Sequence, residues 1–483
     1  MNTDVRELLD GMIREHRLQA HSMKDAPAFY RNLEQNLDVR RAEGGLLTAK
    51  PRWSDTVFDF TSSDFLSLNR SNRIRDAFME ELGRQPNFRL SASGSRVQYG
   101  NYSYLNQVEQ EIAEFYNSET AYIAHSGWLA NVGIVAAIPL AGDAIVFDEL
   151  VHASTHEGMK ISAASHRIPF RHNDAESLYE VLASLKDNEA FRNGTRSILI
   201  CVESIYSMDG DICPLQEMVQ TVKEVFPLGN AQFVVDEAHS TGILGPRGAG
   251  LVAALGLEQD IAIRIHMSSK SLAATGGEAL LFHPAASSNR VNAGVILCNR
   301  TIRSVILNHA RFAVYSGAPS YPMVASIRAG YQIMMNDMTE KEQQHIQLAV
   351  KHFFRSITSN PVWEDATNRR ILSIPLAEDW ETRSSMTHIV AVLTPQPRHE
   401  QYLFFHLLLS NINAYATAYP TVPKGQSRIR VVFHAHNTIE QVDALVAAIC
   451  DWAQEMIILE DGGNEHRIPS AARQVYALQA MTE

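Results

Sequence analysis

Apolar positions along the chain follow two rhythms. From about Val57 onward, short apolar runs of strand length alternate with segments whose apolar residues recur at helical spacing. DAIVFDE, SILICVES, QFVVDEA and EALLFHP are four such runs, and IAIRIHM is a further apolar stretch. They lack a clean in-and-out alternation, which predicts strands covered on both faces. NQVEQEIAEFYN puts Val108, Ile112 and Phe115 on one helical face, and TAYIAHSG after it reads as a strand entering a turn. The alternation predicts an α/β architecture, a mainly parallel sheet with helices on both sides.

After about Ser316 the texture changes. A long helical stretch around VASIRAGYQIMMND leads to strands in THIVAVL and SRIRVVFH, then to an amphipathic helix, IEQVDALVAAICDWAQEM. This predicts a smaller α+β domain over residues 316–460, after a large domain over 58–315, with a tail at 461–483. The first 57 residues form an N-terminal helical segment, with Val5, Leu8, Leu9, Met12 and Ile13 at helical spacing between charges. No long apolar signal-peptide core is present there, and Asp4, Glu7, Asp10 and Glu15 argue against a transit peptide. Packing on the main body or on a partner subunit is the expectation.

Composition narrows the class without choosing a chemistry. At 483 residues and 45% hydrophobic content the chain can bury a large core, and length alone suggests roughly three domains. A formal charge of -12 with scattered basic residues leaves no electrostatic footprint for nucleic acid. VGIVAAIPLAGDAIVF is interrupted by Pro139, Gly142 and Asp143, so no membrane span is expected. Cys201, Cys213, Cys298 and Cys450 lie far apart without metal-ligand spacing, which predicts reduced thiols, no metal and a cytoplasmic protein.

Candidate chemistry begins at FVVDEAHSTGILGPRGAG. QFVVD reads as a buried parallel strand ending at Asp236, and ligands collect beyond strand ends in open α/β sheets. A strand-end Asp is more commonly a turn former, and a lone lysine is usually solvated. The order strand, Asp236, His239, strand, Lys270 is much rarer than its parts. A carboxylate can keep a pyridine nitrogen protonated, a histidine can hydrogen-bond a ring hydroxyl, and a lysine amine can form a Schiff base. Together they point to an enzyme that holds pyridoxal phosphate.

Further motifs give that reading a family. SASGSRVQYGNYSYLNQVE, VHASTHEGMK, RHND at 171–174, ESIYSMDGD at 203–211, DEAHSTGILGPRGAG and YPTVPKGQSRIR at 419–430 occur in this order. With them the chain resembles the α-oxoamine synthases, which include 5-aminolevulinate synthase, 8-amino-7-oxononanoate synthase, 2-amino-3-ketobutyrate ligase and serine palmitoyltransferase. The resemblance runs from about Asp59 to Trp452. It implies a fold-type I pyridoxal phosphate transferase with a seven-stranded, mainly parallel sheet, working as a homodimer with active sites at the subunit interface.

The resemblance also implies roles. His152 would stack on the cofactor ring, Ser207 would lie near its hydroxyl, Asp236 would pair with the pyridine nitrogen and His239 with the hydroxyl. Lys270 would carry the cofactor and then act as the proton-transfer base. Gly127 and Trp128, in SGWLAN, would offer backbone N–H groups to the phosphate, although Gly127 is also compatible with a plain turn. Arg430 corresponds to the arginine that grips the amino-acid carboxylate. Arg428 projects to the same strand face, and spacing alone does not separate the two.

Several positions depart from the family pattern. Ser63 stands in SSDFL where the family usually has Asn, Met267 where it has Thr or Ser on the phosphate, and Gly317 where it has a partner-subunit Thr. Ser268 and Ser269 are the candidates to compensate. Ser95 stands where glycine-restricted relatives tend to carry Thr, so glycine, alanine and serine are all compatible substrates. The implied reaction is a decarboxylative, Claisen-like condensation of a small α-amino acid with an acyl thioester, giving an α-amino ketone. The acyl donor is coenzyme A or an acyl carrier protein, and the divergence suggests a role in secondary metabolism. An aminotransferase or amino-acid decarboxylase remains an alternative, as does a non-catalytic scaffold subunit of a heteromeric synthase.

Overall fold

The computed structural model describes residues 18–42, 56–274, 293–419, 421–462 and 468–481, with a few isolated positions nearer the N-terminus and Leu46. The expected strand EALLFHP lies outside the described residues, as do Leu8, Met12 and Ile13, whereas Val5 and Leu9 are buried.

Seven strands form the central sheet: β2 (Thr120–Ala124), β3 (Ala144–Asp148), β4 (His166–Phe170), β5 (Ile198–Glu203), β6 (Ala231–Asp236), β7 (Ile263–Met267) and β8 (Gly294–Cys298). Their order is β2-β8-β7-β6-β5-β3-β4. β8 runs antiparallel to both neighbours, and the other adjacent pairs are parallel. Two of these strands escape the apolar-run reading. HRIPF forms β4 at the sheet edge with mostly exposed side chains, so it has no buried run to find. GVILC forms β8, buried throughout.

The continuous apolar runs follow from burial on both faces. Ile200, Val202, Phe233 and Val235 point into one core, while Leu199, Cys201, Val234 and Ile265 point into the other. The helices Gly127–Ala137 and Ala153–Ile161 contribute Ala130, Ile134 and Met159 to the second core. The helices Ser103–Phe115, Ala175–Lys186 and Leu215–Val225 cover the first. At about 1.5–3 kcal/mol for each fully buried aliphatic side chain, these two interfaces dominate what holds the layers together. All four cysteines are buried and unpaired.

The C-terminal part carries an antiparallel sheet in the order β11 (Tyr415–Thr417), β12 (Arg428–Val432), β9 (Ile389–Leu393). The helices Glu340–Thr358, His399–Leu409 and Ile439–Asp461 accompany it. A capping box at Thr438 and Gln441 starts the last helix. β1 (Phe58–Asp59) pairs in parallel with β10 (Ile412–Asn413), so the beginning of the large α/β segment is tied to the C-terminal part. Two histidines strengthen that tie. Ser62 Oγ lies 3.0 Å from His434 Nε2, and Ser67 Oγ lies 2.8 Å from His436 Nδ1. The segment 461–483 contains the helix Ser470–Met481. Among the described residues no helix is long and apolar enough to cross a membrane.

Candidate active site

Parallel strands bring their C-terminal ends to one edge, and the loops leaving β2, β3, β5, β6 and β7 meet there. Glu203 ends β5 and Asp236 ends β6 beside it, in register. Two buried carboxyls side by side disfavour a double charge. Burial first, and Asp236 second, push Glu203 well above the usual carboxylate range, and its Oε1 accepts the backbone N–H of His152 at 2.5 Å.

Asp236 is held by two donors. Its Oδ2 accepts from Asn131 Nδ2 at 2.7 Å and its Oδ1 from the Ala238 N–H at 2.9 Å. Asn131 also donates to Ser154 Oγ at 3.1 Å, and that oxygen lies 2.7 Å from His152 Nδ1. A continuous hydrogen-bonded path therefore joins Asp236 to His152. The His152 ring stays accessible from the cleft, edge-on to Trp128 at 5.7 Å, and burial lowers its pKa. Asn131, Ser154 and Glu203 were missed in the sequence, since only folding makes them neighbours. SGWLAN and VHAS contained the first two, unread.

Lys270 sits on the turn after β7, with Nζ 2.8 Å from His239 Nε2. Burial lowers the lysine to about 8 against the opposing pull of Asp236 and Glu203, so the amine is partly neutral near physiological pH. His239 is driven well below its ordinary value by burial, then by Lys270 and Arg430. Its Nδ1 is buried without a hydrogen-bond partner among the described residues.

The two arginines of β12 separate clearly. Arg428 is 2% exposed and already committed, to the Asp209 carboxylate and to the carbonyls of Met208 and Gln426. Arg430 gives its Nε to the Ser207 carbonyl and has no carboxylate partner among the described residues. Burial lowers it to about 10, as expected for a guanidinium awaiting an anion. Ser207 thus meets the site through its backbone. Ser63 is part-buried in the loop beside Ser62, and Ser95 is buried with an unpartnered hydroxyl.

At the start of the helix Gly127–Ala137, Ser126 Oγ caps the Leu129 N–H at 3.0 Å, leaving the Gly127 and Trp128 amides as first-turn donors. Met267 packs directly on Gly127, where an added Cβ would fall 1.8 Å from its Sδ. The Ser268 hydroxyl donates to the Ala293 carbonyl at 3.1 Å, and Ser269 is 5% exposed. Gly317 is exposed, with an added Cβ 4.0 Å from the Gly94 carbonyl oxygen.

These residues fit pyridoxal phosphate. A strand-end carboxylate, an amine of depressed pKa, an unpartnered buried imidazole atom, an open ring face and an unneutralised guanidinium match its functional groups and those of an amino acid. At the helix end the backbone donors are in place and the Met267 side chain brings no hydroxyl.

Comparisons with known proteins give the family and the fold. Residues 55–449 match the family "Aminotransferase class I and II". An aminoacyl transferase sphA of Aspergillus fumigatus is 49% identical over 97% of this chain and 96% of its own length. An 8-amino-7-oxononanoate synthase of Emericella nidulans is 37% identical over 90% of this chain and 98% of its own. Among solved structures, a lysine-to-alanine variant of a serine palmitoyltransferase from S. paucimobilis with a bound PLP–myriocin aldimine superposes with a TM-score of 0.69 at 20% identity, covering 90% of this chain and 100% of that one.

Proposed function

Because the chain belongs to the class I and II aminotransferase family, in its α-oxoamine synthase branch, we propose that it condenses a small α-amino acid with an acyl thioester. The products are an α-amino ketone, carbon dioxide and the free thiol. It is a pyridoxal-phosphate-dependent acyltransferase. When bound, the cofactor supplies an electron-withdrawing ring that stores the electron pair left at the substrate's α-carbon.

The chain's own residues do the rest. Asp236, held by Asn131 and Ala238, would pair with the pyridine nitrogen. His152 would stack on the ring face, its angle set by the Asn131 and Ser154 path. Lys270 Nζ would be the amine that carries the cofactor and, when free, the base for the α-proton, a task that a pKa of about 8 suits close to neutrality. His239 holds that amine in place. Arg430 grips the substrate carboxylate with the N–H groups that Ser207 leaves unused, which orients the bonds at the α-carbon. The Gly127 and Trp128 amides would receive the phosphate, with Ser268 and Ser269 just ahead of the lysine. Ser95 and Ser63 border the amino acid, whose side chain is that of glycine, alanine or serine.

The observation that carries this reading is the convergence of Lys270, His239 and Asp236 near an arginine left without a carboxylate. The acyl group arrives on coenzyme A or on an acyl carrier protein, and the chain acts in the cytoplasm as a homodimer. Supporting the dimer, the helix Ala28–Ala42 buries no residue of its own and exposes Phe29, Leu33 and Leu37 along one face. A mass-resolved screen of amino acids against acyl thioesters tests the proposal. An α-amino ketone is expected, and a 2-oxo acid would replace the condensation with transamination.

A further inference from the structure

Glu203 is a buried acid of the candidate site, 5% exposed, that the chemistry above leaves without a task. It ends β5 directly opposite Asp236 at the end of β6. Neighbouring strands lie about 4.8 Å apart and in-register residues point to one side, so the two carboxyls share a small dry space. Only one of them is equipped to hold a charge. Both oxygens of Asp236 take an N–H, from Asn131 at 2.7 Å and from Ala238 at 2.9 Å. Glu203 accepts a single N–H among the described residues, that of His152 at 2.5 Å.

That bond joins two separate pieces of the chain. Glu203 closes β5, whereas His152 follows β3, the strand beside it, and caps the helix Ala153–Ile161. The His152 ring is held at Nδ1, 2.7 Å from Ser154 Oγ, and Glu203 holds the backbone of the same residue. With both ends fixed, the ring angle is set before any ligand arrives. The charged groups facing Glu203 are Asp236 from β6, Asp148 from β3 and Lys270 from the turn after β7. Burial, then Asp236, keep a proton on Glu203, and Lys270 pulls the other way without prevailing. A neutral acid still accepts an N–H through its carbonyl oxygen.

We propose that Glu203 is a positioning residue, protonated in the working enzyme, whose carbonyl oxygen seats His152 by its backbone N–H and leaves Asp236 the charged member of the pair. The task of the His152 ring rests on the cofactor reading above.

The test reads protonation and positioning separately. At neutral pH the infrared difference between wild type and Glu203→Gln, which needs no cofactor, should show a protonated-carboxyl band; carboxylate bands in its place overturn the proposal. In the holoenzyme, Glu203→Ala strands the buried His152 N–H, and the cofactor dissociation constant should rise about ten-fold. Glu203→Leu is a second apolar variant should the first misfold, and Glu203→Gln, which keeps the acceptor, should stay within about two-fold of wild type. Since Glu203 acts through His152, Glu203→Ala should cost little more in a His152→Ala background. Unchanged affinity in a folded apolar variant, or fully additive losses in the double variant, overturn the positioning role. A wild type that binds no cofactor overturns the cofactor reading instead, and the infrared result still decides where the proton is.

Discussion

His172→Gln tests whether the site rests on a charged latch. The imidazole bridges Asp148 at 2.9 Å and Asp211 at 2.7 Å, and Asn173 adds bonds to the same two carboxylates at 2.8 and 2.6 Å. Burial opposes the charged ring, but the bonds to Asp148 and Asp211 outweigh it and raise the pKa from 6.5 to about 10. At about 1.4 kcal/mol per unit, such a shift sets a ceiling of about 5 kcal/mol. The ring is 20% exposed and Asp148 fully buried. Screening at that exposure brings the expected contribution to about 2–3 kcal/mol. Since the folded value lies above the unfolded one, this stability is complete below about pH 6.5 and is lost as pH rises to about 10. Urea unfolding followed by circular dichroism should show wild type weakening across that window. His172→Gln should start lower and vary little. A variant with the wild-type pH dependence would refute the reasoning. Asp211 closes the turn that carries Ser207, so the variant should also raise KM for the amino acid more than it lowers kcat.

Three further outcomes follow from the same geometry. Arg430→Lys should raise KM for the amino acid about 30-fold to 100-fold, because an ammonium cannot form the two-bond fork, and an unchanged KM would move the carboxylate elsewhere. Gly210→Ala places a Cβ 2.0 Å from the Ile389 carbonyl oxygen at φ +78, so calorimetry should show destabilisation of about 3 kcal/mol or more, whereas a wild-type Tm would contradict the close approach. In cofactor-stripped protein, an amine-reactive reagent should label Lys270 with a midpoint near pH 8, about two and a half units below an exposed lysine, and a midpoint matching surface lysines would refute its burial.

Where burial is two-sided and local, the chain declares its fold. QFVVD and SILICVE became β6 and β5 because both faces of each are covered. HRIPF did not announce β4, since an edge strand needs only hydrogen bonds from one neighbour and carries polar side chains. The two-residue pairing of β1 with β10 joins segments more than three hundred residues apart and has no periodicity at all. The site divides in the same way. Asp236, His239 and Lys270 were legible because their types and order suit one cofactor. Asn131 and Glu203 were not, because their value lies in where their polar atoms point after folding. The choice between Arg430 and Arg428 needed the Asp209 carboxylate, 219 residues away in the chain, to occupy one of them.

The central claim is a condensation that loses the amino-acid carboxylate while the acyl group leaves its thiol. The most direct measurement supplies carboxyl-labelled amino acid with the acyl thioester and follows labelled carbon dioxide and free thiol together. Equal amounts of both, with a ketone of matching mass and neither product in Lys270→Ala, are the predicted result. Thiol release without carbon dioxide, or carbon dioxide without thiol, would contradict the account.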